Sequence, residues 1–331
     1  MNCRSLAAWS GWIAMGAVAC GTAGDAASRP GSGETVLSTE SALASPYDWL
    51  QFYGNAQHSG DNLSETTLSS QNVAGLAPLF QVTLPAVVDG APAILTNVTT
   101  ATGTQDLAFV TTKDGRALAL NAHTGALVWS QQPATSPGFT TSAPAVDPSR
   151  SFVYAYGLDG KVHKYAVGTG AETTTGGWPE VATAKPSVEK GSTSLAITTV
   201  GAASYLHIGY SGYGDGGNYQ GHLTTVNLST GAQNVFNSVC SNQTAHFVLP
   251  EAGVDCAFVQ SAIWGRSGAV YDADTNKIYA ATGNGTFDPA TFQWGDTLLA
   301  LKAATGVGDR AAALARHGGG RHIHADNVAR E

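Results

Sequence analysis

The chain repeats one pattern of apolar and polar positions four times. In each repeat, a short segment in which apolar residues alternate with polar ones ends in a Thr-Gly pair, at Gly125, Gly170, Gly231 and Gly306. A partner segment with the same alternation precedes it. Alternation with a period of two is typical of half-buried strands, and glycine supplies the positive φ of a tight turn. Each repeat is therefore predicted to be a β-meander.

The spacing of the Thr-Gly turns indicates how the meanders assemble. Successive turn glycines are 45, 61 and 75 residues apart, which is typical of a repeat lengthened by insertions. Each meander has one apolar face that only a neighbouring sheet can cover. The predicted fold class is therefore all-β: a β-propeller of four-stranded antiparallel blades, with about four blades recognisable and the ring incomplete. A β-sandwich built from the same strands is the alternative.

The composition agrees with many short strands and turns. Only 12% of the 331 residues are charged and 40 are glycine, which disfavours a helix bundle or a coiled coil. The formal net charge of -8 argues against a general nucleic-acid binder, because such a protein needs a basic face. We therefore expect no nucleic acid among the partners.

The first 45 residues have the pattern of an export signal followed by a linker. Arg4 precedes an apolar run over residues 6–19, and the Ala-Val-Ala-Cys sequence that ends at Cys20 is similar to a bacterial lipoprotein processing site. Residues 1–20 are predicted to be a lipoprotein-type signal peptide with Cys20 lipidated, and residues 21–45 a flexible tether. A plainly cleaved secretory signal is the alternative. The run is too short to span a bilayer, so we expect an exported protein, periplasmic or at the cell surface, that contacts the membrane only through a lipid anchor.

Two cysteines lie well beyond the leader, Cys240 and Cys256. Two cysteines in an exported protein indicate one disulfide. The alternative is a metal site, but this spacing lacks the paired cysteines of a zinc site, and His246 is the one histidine between them.

The segments DWLQFYGNAQHSGDNLSETTLSSQNVAGLAPLFQV (48–82) and DGRALALNAHTGALVW (114–129) carry a recognisable pattern. They resemble the opening segment and the tryptophan-docking repeat of the PQQ-binding-like β-propeller family, and the resemblance extends over residues 46–306. It implies that Trp129 packs its indole between adjacent blades. The other three repeats have no tryptophan at the matching position, so the docking is expected to be degenerate.

The segment IWGRSGAVYDADTNKIYAATGNG (263–285) is similar to a segment of quinoprotein alcohol dehydrogenases. The resemblance implies that Trp264 stacks on the planar quinone PQQ and that the amide oxygen of Asn284 ligates calcium, which prefers oxygen ligands. The family's carboxylate ligand falls in the third repeat, where Asp215 stands, one carbon shorter than the expected Glu. The alternatives are that Trp264 is core between two blades and that TGNG is only a tight turn.

The resemblance ends at Gly306. Residues 307–331 are rich in Ala, Arg and His and lose the alternation, so we expect an irregular or disordered tail that forms no blade. The resemblance implies a catalytic aspartate after this point, and no motif there supplies one. The adjacent cysteines of the methanol-oxidising members are also absent. The catalytic residue is therefore left unassigned.

Two functions are compatible with these residues. The first is an exported, non-catalytic binding or scaffold module whose partner is an envelope protein or a small molecule. It is favoured by degenerate repeats and an incomplete set of cofactor-binding residues, since one fold hosts many functions. The alternative is a PQQ- and calcium-dependent alcohol dehydrogenase, in which the quinone accepts a hydride while an aspartate takes the hydroxyl proton.

Overall fold

A computed structural model of the chain describes residues 47–249 and 256–308, and the backbone of residues 312–316. The predicted leader with Cys20, the predicted tether and residues 317–331 lie outside the described residues. Regular structure is almost entirely β-strand, as the alternation predicts. Within the described part, no helix is long and apolar enough to cross a membrane.

The strands form four antiparallel sheets that follow one another along the chain, here called blades 1 to 4. In blades 1 and 2 the strands pair in sequence order, so each blade is a meander. Blade 1 contains β1 (Ala93–Thr100), β2 (Gly103–Thr111), β3 (Ala117–Asn121) and β4 (Leu127–Gln131). Blade 2 contains β5 (Ala145–Val146), β6 (Phe152–Tyr156), β7 (Lys161–Ala166) and β8 (Glu180–Val181).

Blades 3 and 4 carry the insertions that lengthen the repeat. Blade 3 contains β9 (Glu189–Gly191), β10 (Ala196–Val200), β11 (Ala203–Gly212), β12 (His222–Asn227) and β13 (Gln233–Asn237), with β9 paired to the far end of β11. Blade 4 contains β14 (Val270–Asp272), β15 (Lys277–Ala281), β18 (Thr297–Lys302) and β19 (Ala312–Arg316). A small hairpin of β16 (Phe287–Asp288) and β17 (Gln293–Trp294) lies between β15 and β18. Short 3-10 turns occur at Val73–Gly75, Tyr213–Asp215 and Pro289–Thr291.

The core is divided among the spaces between consecutive blades. One apolar cluster joins blades 1 and 2, a second joins blades 2 and 3, and a third joins blades 3 and 4. Each blade thus covers the apolar face of the next, which is the packing that the repeat predicts. A β-sandwich would pair the sheets into two layers, so this serial arrangement excludes that alternative. The opening segment covers the other face of blade 1, where Val82, Leu84 and Val88 pack on the sheet.

Each turn glycine lies against a side chain from the preceding blade or segment. A methyl group on Gly170 would come within 2.7 Å of the Trp129 indole, whose Nε1 donates to the carbonyl of Val167 at 2.8 Å. The corresponding contacts in the other repeats use different side chains: Phe80 on Gly125, Glu180 on Gly231 and Thr225 on Gly306. All four turns are therefore docked, although one alone uses a tryptophan, because the glycine leaves room for whatever side chain faces it.

The tail differs from the sequence-based expectation. Residues 312–316 form β19, which pairs antiparallel with β18 and completes the fourth four-stranded blade. The expectation that no blade strand follows Gly306 is wrong at this point. The sequence there, AALAR, has no alternation, but the open edge of β18 offers a row of backbone groups that any extended segment can pair with.

The predicted disulfide between Cys240 and Cys256 is present. It closes a loop beside blade 3, where Cys256 packs with Val239 and Phe247 in a small buried cluster. The pairing agrees with an oxidising compartment but does not by itself identify one.

Candidate functional site

Two of the predicted site residues meet across the boundary between blades 3 and 4. Asp215 lies in the 3-10 turn that follows β11, and Asn284 lies in the loop that follows β15. Although they are 69 residues apart, the Asn284 Nδ2 donates to the Asp215 Oδ2 at 2.9 Å. The serial packing of blades brings the two loops together, because both leave their strands on the same side of the fold.

The Asp215 carboxylate is held by a second contact from its own blade. The hydroxyl of Tyr219 donates to the Asp215 Oδ1 at 2.5 Å, and the Tyr219 ring is fully buried against Gly212. Asp215 itself has a φ of 57°, in the left-handed region that aspartate adopts more often than most other non-glycine residues. One carboxylate oxygen is thus fixed by tyrosine, and the other faces Asn284.

Trp264 lies beside the loop that carries Asn284. Its Nε1 would be 2.5 Å from a methyl group placed on Gly283, and the Gly283 N–H donates to the Ala262 carbonyl at 2.7 Å. The Trp264 side chain is 60% exposed. The alternative that Trp264 is core between two blades is therefore wrong, because such a residue would be buried. Its indole offers an open aromatic face next to an amide and a carboxylate.

The side chains at this site have the chemistry that binding of a planar quinone and calcium requires. An exposed indole can stack on a flat aromatic acid, and Asp215 and Asn284 supply oxygen atoms, which calcium prefers. Gly283 leaves the space under the indole that a Cβ would fill. Calcium takes about six to eight oxygens, so two side chains would need oxygens from the ligand and from water. In the described ranges, no group of three or more His, Cys, Asp or Glu residues could hold a metal by itself.

A cationic cluster borders Trp264, formed by Lys113, Lys190 and Arg266 around Asp89. Arg266 follows Trp264 by two residues, and its guanidinium lies 2.5 Å from the Asp89 carboxylate; the Lys113 Nζ lies 3.4 Å from it. Partial burial opposes ionisation of Asp89, but the hydrogen bond and charge of Arg266 and the charge of Lys113 outweigh it and lower the pKa of that carboxyl. Two cations therefore contact one carboxylate, with the Lys190 amine within their electrostatic influence, which gives this cluster a positive excess in an acidic protein.

One more carboxylate belongs to the same edge. The Asp296 N–H donates to the Gly283 carbonyl at 2.9 Å, so the turn before β18 is fixed to the loop of Trp264 and Asn284. Asp296 has a φ of 48° and its side chain is half-buried. Sequence reasoning missed it because it searched for a carboxylate after Gly306. The Gly295-Asp296 pair immediately before a strand was the signal that could have found it.

Sequence reasoning also missed the cationic cluster and Tyr219. Lys113 stands in an ordinary Lys-Asp-Gly turn, and Lys190 lies in a segment without a motif. Four different stretches of chain contribute to the cluster, so no spacing of residues along the sequence predicts it. Tyr219 lies four residues from Asp215, and its aromatic ring in a glycine-rich insert was the available signal.

The consecutive antiparallel blades and the polar face built from their loops define a β-propeller of PQQ-like repeats. Residues 56–250 match the PQQ_2 family model, described as outer membrane protein assembly factor BamB, and the chain belongs to this family. Comparison with curated proteins gives no match.

Solved structures with the same fold include three dehydrogenases. The quinohemoprotein alcohol dehydrogenase ADHIIG from Pseudomonas putida HK5 is 18% identical, with a TM-score of 0.56, over 79% of this chain and 39% of that one. The quinohemoprotein alcohol dehydrogenase from Comamonas testosteroni is 17% identical, with a TM-score of 0.57, over 79% and 40%. A europium-containing methanol dehydrogenase is 17% identical, with a TM-score of 0.52, over 80% and 48%. The chain spans less than half the length of each, and identities this low establish the fold alone.

Proposed function

We propose that the chain is an exported β-propeller that binds a planar, anionic quinone of the PQQ class, with calcium, on the face that carries Trp264. One observation carries the proposal: the side chains of Asp215 and Asn284, from different blades, meet at 2.9 Å beside an exposed indole. Gly283, the neighbour of Asn284 in the chain, lies against the indole, so one ligand can contact all three side chains.

The roles follow from the chemistry of each group. Trp264 would be the aromatic floor for the ring system, and Asp215 and the amide oxygen of Asn284 would hold calcium. The Asn284 amide would have to rotate away from its present contact with Asp215 to present its oxygen to the cation. Lys113 and Arg266 attract the ligand's carboxylates. When bound, the quinone supplies an acceptor for a hydride from an alcohol.

Calorimetric titration of the purified chain with PQQ in the presence of calcium tests this proposal. We expect binding that weakens at least tenfold in Trp264→Ala and in Asn284→Ala, and that also weakens when a chelator removes calcium. Asn234→Ala is the matched control, since Asn234 is exposed on β13 in the outer part of blade 3. Equal affinity in the wild type and both site variants would contradict the proposal.

The second candidate function is a dehydrogenase, in which the bound quinone oxidises an alcohol. The position of Asp296 favours this function. Because the Asp296 backbone is hydrogen-bonded to the loop of the quinone site, we infer that its carboxylate is the general base, a role that typically contributes a factor of about 10² to 10⁴ in rate. Dye-linked oxidation of primary and secondary alcohols distinguishes the two functions. Turnover that Asp296→Asn abolishes without loss of PQQ binding supports a dehydrogenase; binding without turnover supports a non-catalytic binding module.

Export and anchoring belong to the same proposal. The lipoprotein-type sequence at Cys20, the disulfide and the family description, which names an outer-membrane assembly factor, support an envelope location with an envelope protein as a further partner. Incorporation of labelled palmitate in a bacterial host, lost in Cys20→Ser, tests the lipid anchor. A soluble periplasmic product without label would favour the plainly cleaved signal instead.

A further inference from the structure

Lys190 is a buried amine whose partners are uncharged. It lies on β9, is only 9% exposed, and has its Nζ 3.2 Å from the Ser192 Oγ and 3.4 Å from the Thr141 Oγ1. The Nζ also lies 5.0 Å from the centre of the Phe139 ring. Among the described residues, no carboxylate forms an ion pair with it at 4.0 Å or less.

The other buried lysine of this region is a useful contrast. Lys185 is also almost fully buried, but its Nζ pairs with the Glu189 carboxylate at 3.2 Å and donates to the Asn218 carbonyl at 2.7 Å. A buried ammonium is stable when a carboxylate and hydrogen bonds replace its hydration. Lys185 has that compensation and Lys190 has hydroxyls instead. Loss of a proton from the ammonium group therefore costs less free energy at Lys190 than at Lys185.

The charges around Lys190 act in the same direction. Asp89 is the carboxylate whose charge acts on Lys190, and it is already engaged by Arg266 and Lys113. The Lys113 Nζ lies 5.3 Å from the centre of the Phe139 ring, so both amines lie near the same ring. Burial is the main cause that lowers the pKa of Lys190 to about 8, the positive charges of Lys113 and Arg266 add to it, and Asp89 opposes it.

The buried amine is bordered by side chains that reach the surface. Phe139, which forms one wall of its surroundings, and the side chains of Lys113 and Arg266 are partly exposed. Lys113 and Arg266 together carry one positive charge more than Asp89 neutralises, so they favour a carboxylate near the amine. An unprotonated amine beside cations is the arrangement in which a lysine acts as a nucleophile towards carbonyl groups.

We propose that Lys190 captures small α-oxo acids reversibly as a Schiff base. The Nζ lone pair attacks the carbonyl carbon, a C–N bond forms, and the carbonyl oxygen takes a proton to give a carbinolamine. Loss of that hydroxyl group as water leaves the imine, so no oxidant or reductant is consumed. The hydroxyls of Ser192 and Thr141 pass protons between nitrogen and oxygen. This inference shares Lys113 and Arg266 with the proposed quinone site, but it requires neither PQQ nor calcium.

Trapping the imine in the full chain, without PQQ or calcium, tests the inference. The purified protein is incubated with glyoxylate and cyanoborohydride at pH 7.5, and peptide mapping by mass spectrometry locates the reduced adduct. With a pKa of about 8, Lys190 has roughly 200 times the neutral fraction of an ordinary lysine at this pH. We expect it to be labelled at least tenfold faster than Lys277 or Lys185.

Two comparisons keep the result specific. Lys190→Arg keeps the charge and removes the nucleophile, so it should abolish the rapid labelling, whereas Lys277→Arg on β15 should leave it unchanged. Propanal, a carbonyl compound without a carboxylate, should label Lys190 at least tenfold more slowly than glyoxylate does. Labelling of Lys190 in the wild type at or below the rate of Lys277 would overturn the inference, and so would equal rates with propanal.

Discussion

The indole of Trp129 lies across the α-carbon of Gly170, on the turn of the next blade, and donates a hydrogen bond to Val167. The Trp129 ring is also packed against Phe109 of its own blade and Tyr165 of blade 2, at 5.9 Å between centres in both cases. This contact joins two repeats that are not linked by hydrogen-bonded strands. The contact buries the large Trp129 side chain against Gly170, a position with no room for a side chain.

Replacing Trp129 by alanine should lower the free energy of unfolding by about 3–5 kcal/mol, because the change leaves a cavity between two blades. Trp129→Phe should cost less, since it keeps most of the ring and loses the hydrogen bond to Val167. Urea denaturation of both variants measures these differences. A loss below about 1 kcal/mol in Trp129→Ala would mean that the contact between blades is not formed.

Gly170→Ala should destabilise the protein more than Gly201→Ala does. Both glycines have positive φ, 69° and 61°, so each substitution meets a backbone penalty of about 1–2 kcal/mol. Gly201 has open space around its α-carbon, whereas the new methyl at Gly170 meets the Trp129 indole. Overpacking of that kind costs typically ~1–3 kcal/mol more. Equal midpoints for the two variants in urea would show that the indole moves aside freely.

A chain that ends at Gly308 should melt at a lower temperature than a chain that ends at Arg316. The shorter chain lacks β19 and exposes the edge of β18, which invites pairing between molecules. We therefore also expect it to aggregate at lower concentration. Differential scanning calorimetry and light scattering on the two truncated proteins measure both effects. Superimposable transitions would mean that β19 contributes no stability.

The stability should fall as the pH drops below about 6.5, in part because of His207. Complete burial lowers the pKa of His207 to about 3, and its neutral ring is hydrogen-bonded to Thr198 and Thr225. The unfolded chain has the ordinary value near 6.5, so it binds a proton first and unfolding becomes easier between pH 6.5 and 3. Above pH 6.5 the residue is neutral in both states and has no such effect.

The contribution of His207 can reach about 1.4 kcal/mol per pH unit within that range. His207→Gln should be less stable at pH 7 but should lose less stability between pH 6 and 4, when both proteins are compared in urea at each pH. A parallel pH dependence in the two proteins would assign the acid sensitivity to other groups.

The disulfide should resist alkylation in protein isolated from an oxidising compartment. Without reductant, mass spectrometry should find neither Cys240 nor Cys256 labelled; with reductant, both should react. The double replacement by serine should cost about 3 kcal/mol for a loop of about 15 residues, because the unfolded chain gains freedom. Ready labelling of either cysteine without reductant would contradict the pairing.

The sequence alone determined the repeat and the class of fold, and it selected the candidate site residues that lie in recognisable segments. Alternation and the Thr-Gly turns are local properties, since a strand or a tight turn depends on residues a few positions apart. They located all four blades and selected Trp129, Trp264, Asn284 and Asp215. The absence of alternation after Gly306 misled the same reasoning, because β19 is held by the free edge of β18 and not by its own pattern.

Only the tertiary structure decided which of these residues share a site. The approach of Asp215 to Asn284, the exposure of Trp264 and the convergence of Lys113, Lys190 and Arg266 on Asp89 depend on how consecutive blades pack, which no spacing along the chain encodes. The state of Lys190 depends on burial and on charges from other blades, and both are properties of the assembled fold. Local sequence patterns therefore identified the candidate side chains, and the packing of distant segments determined which of them lie together.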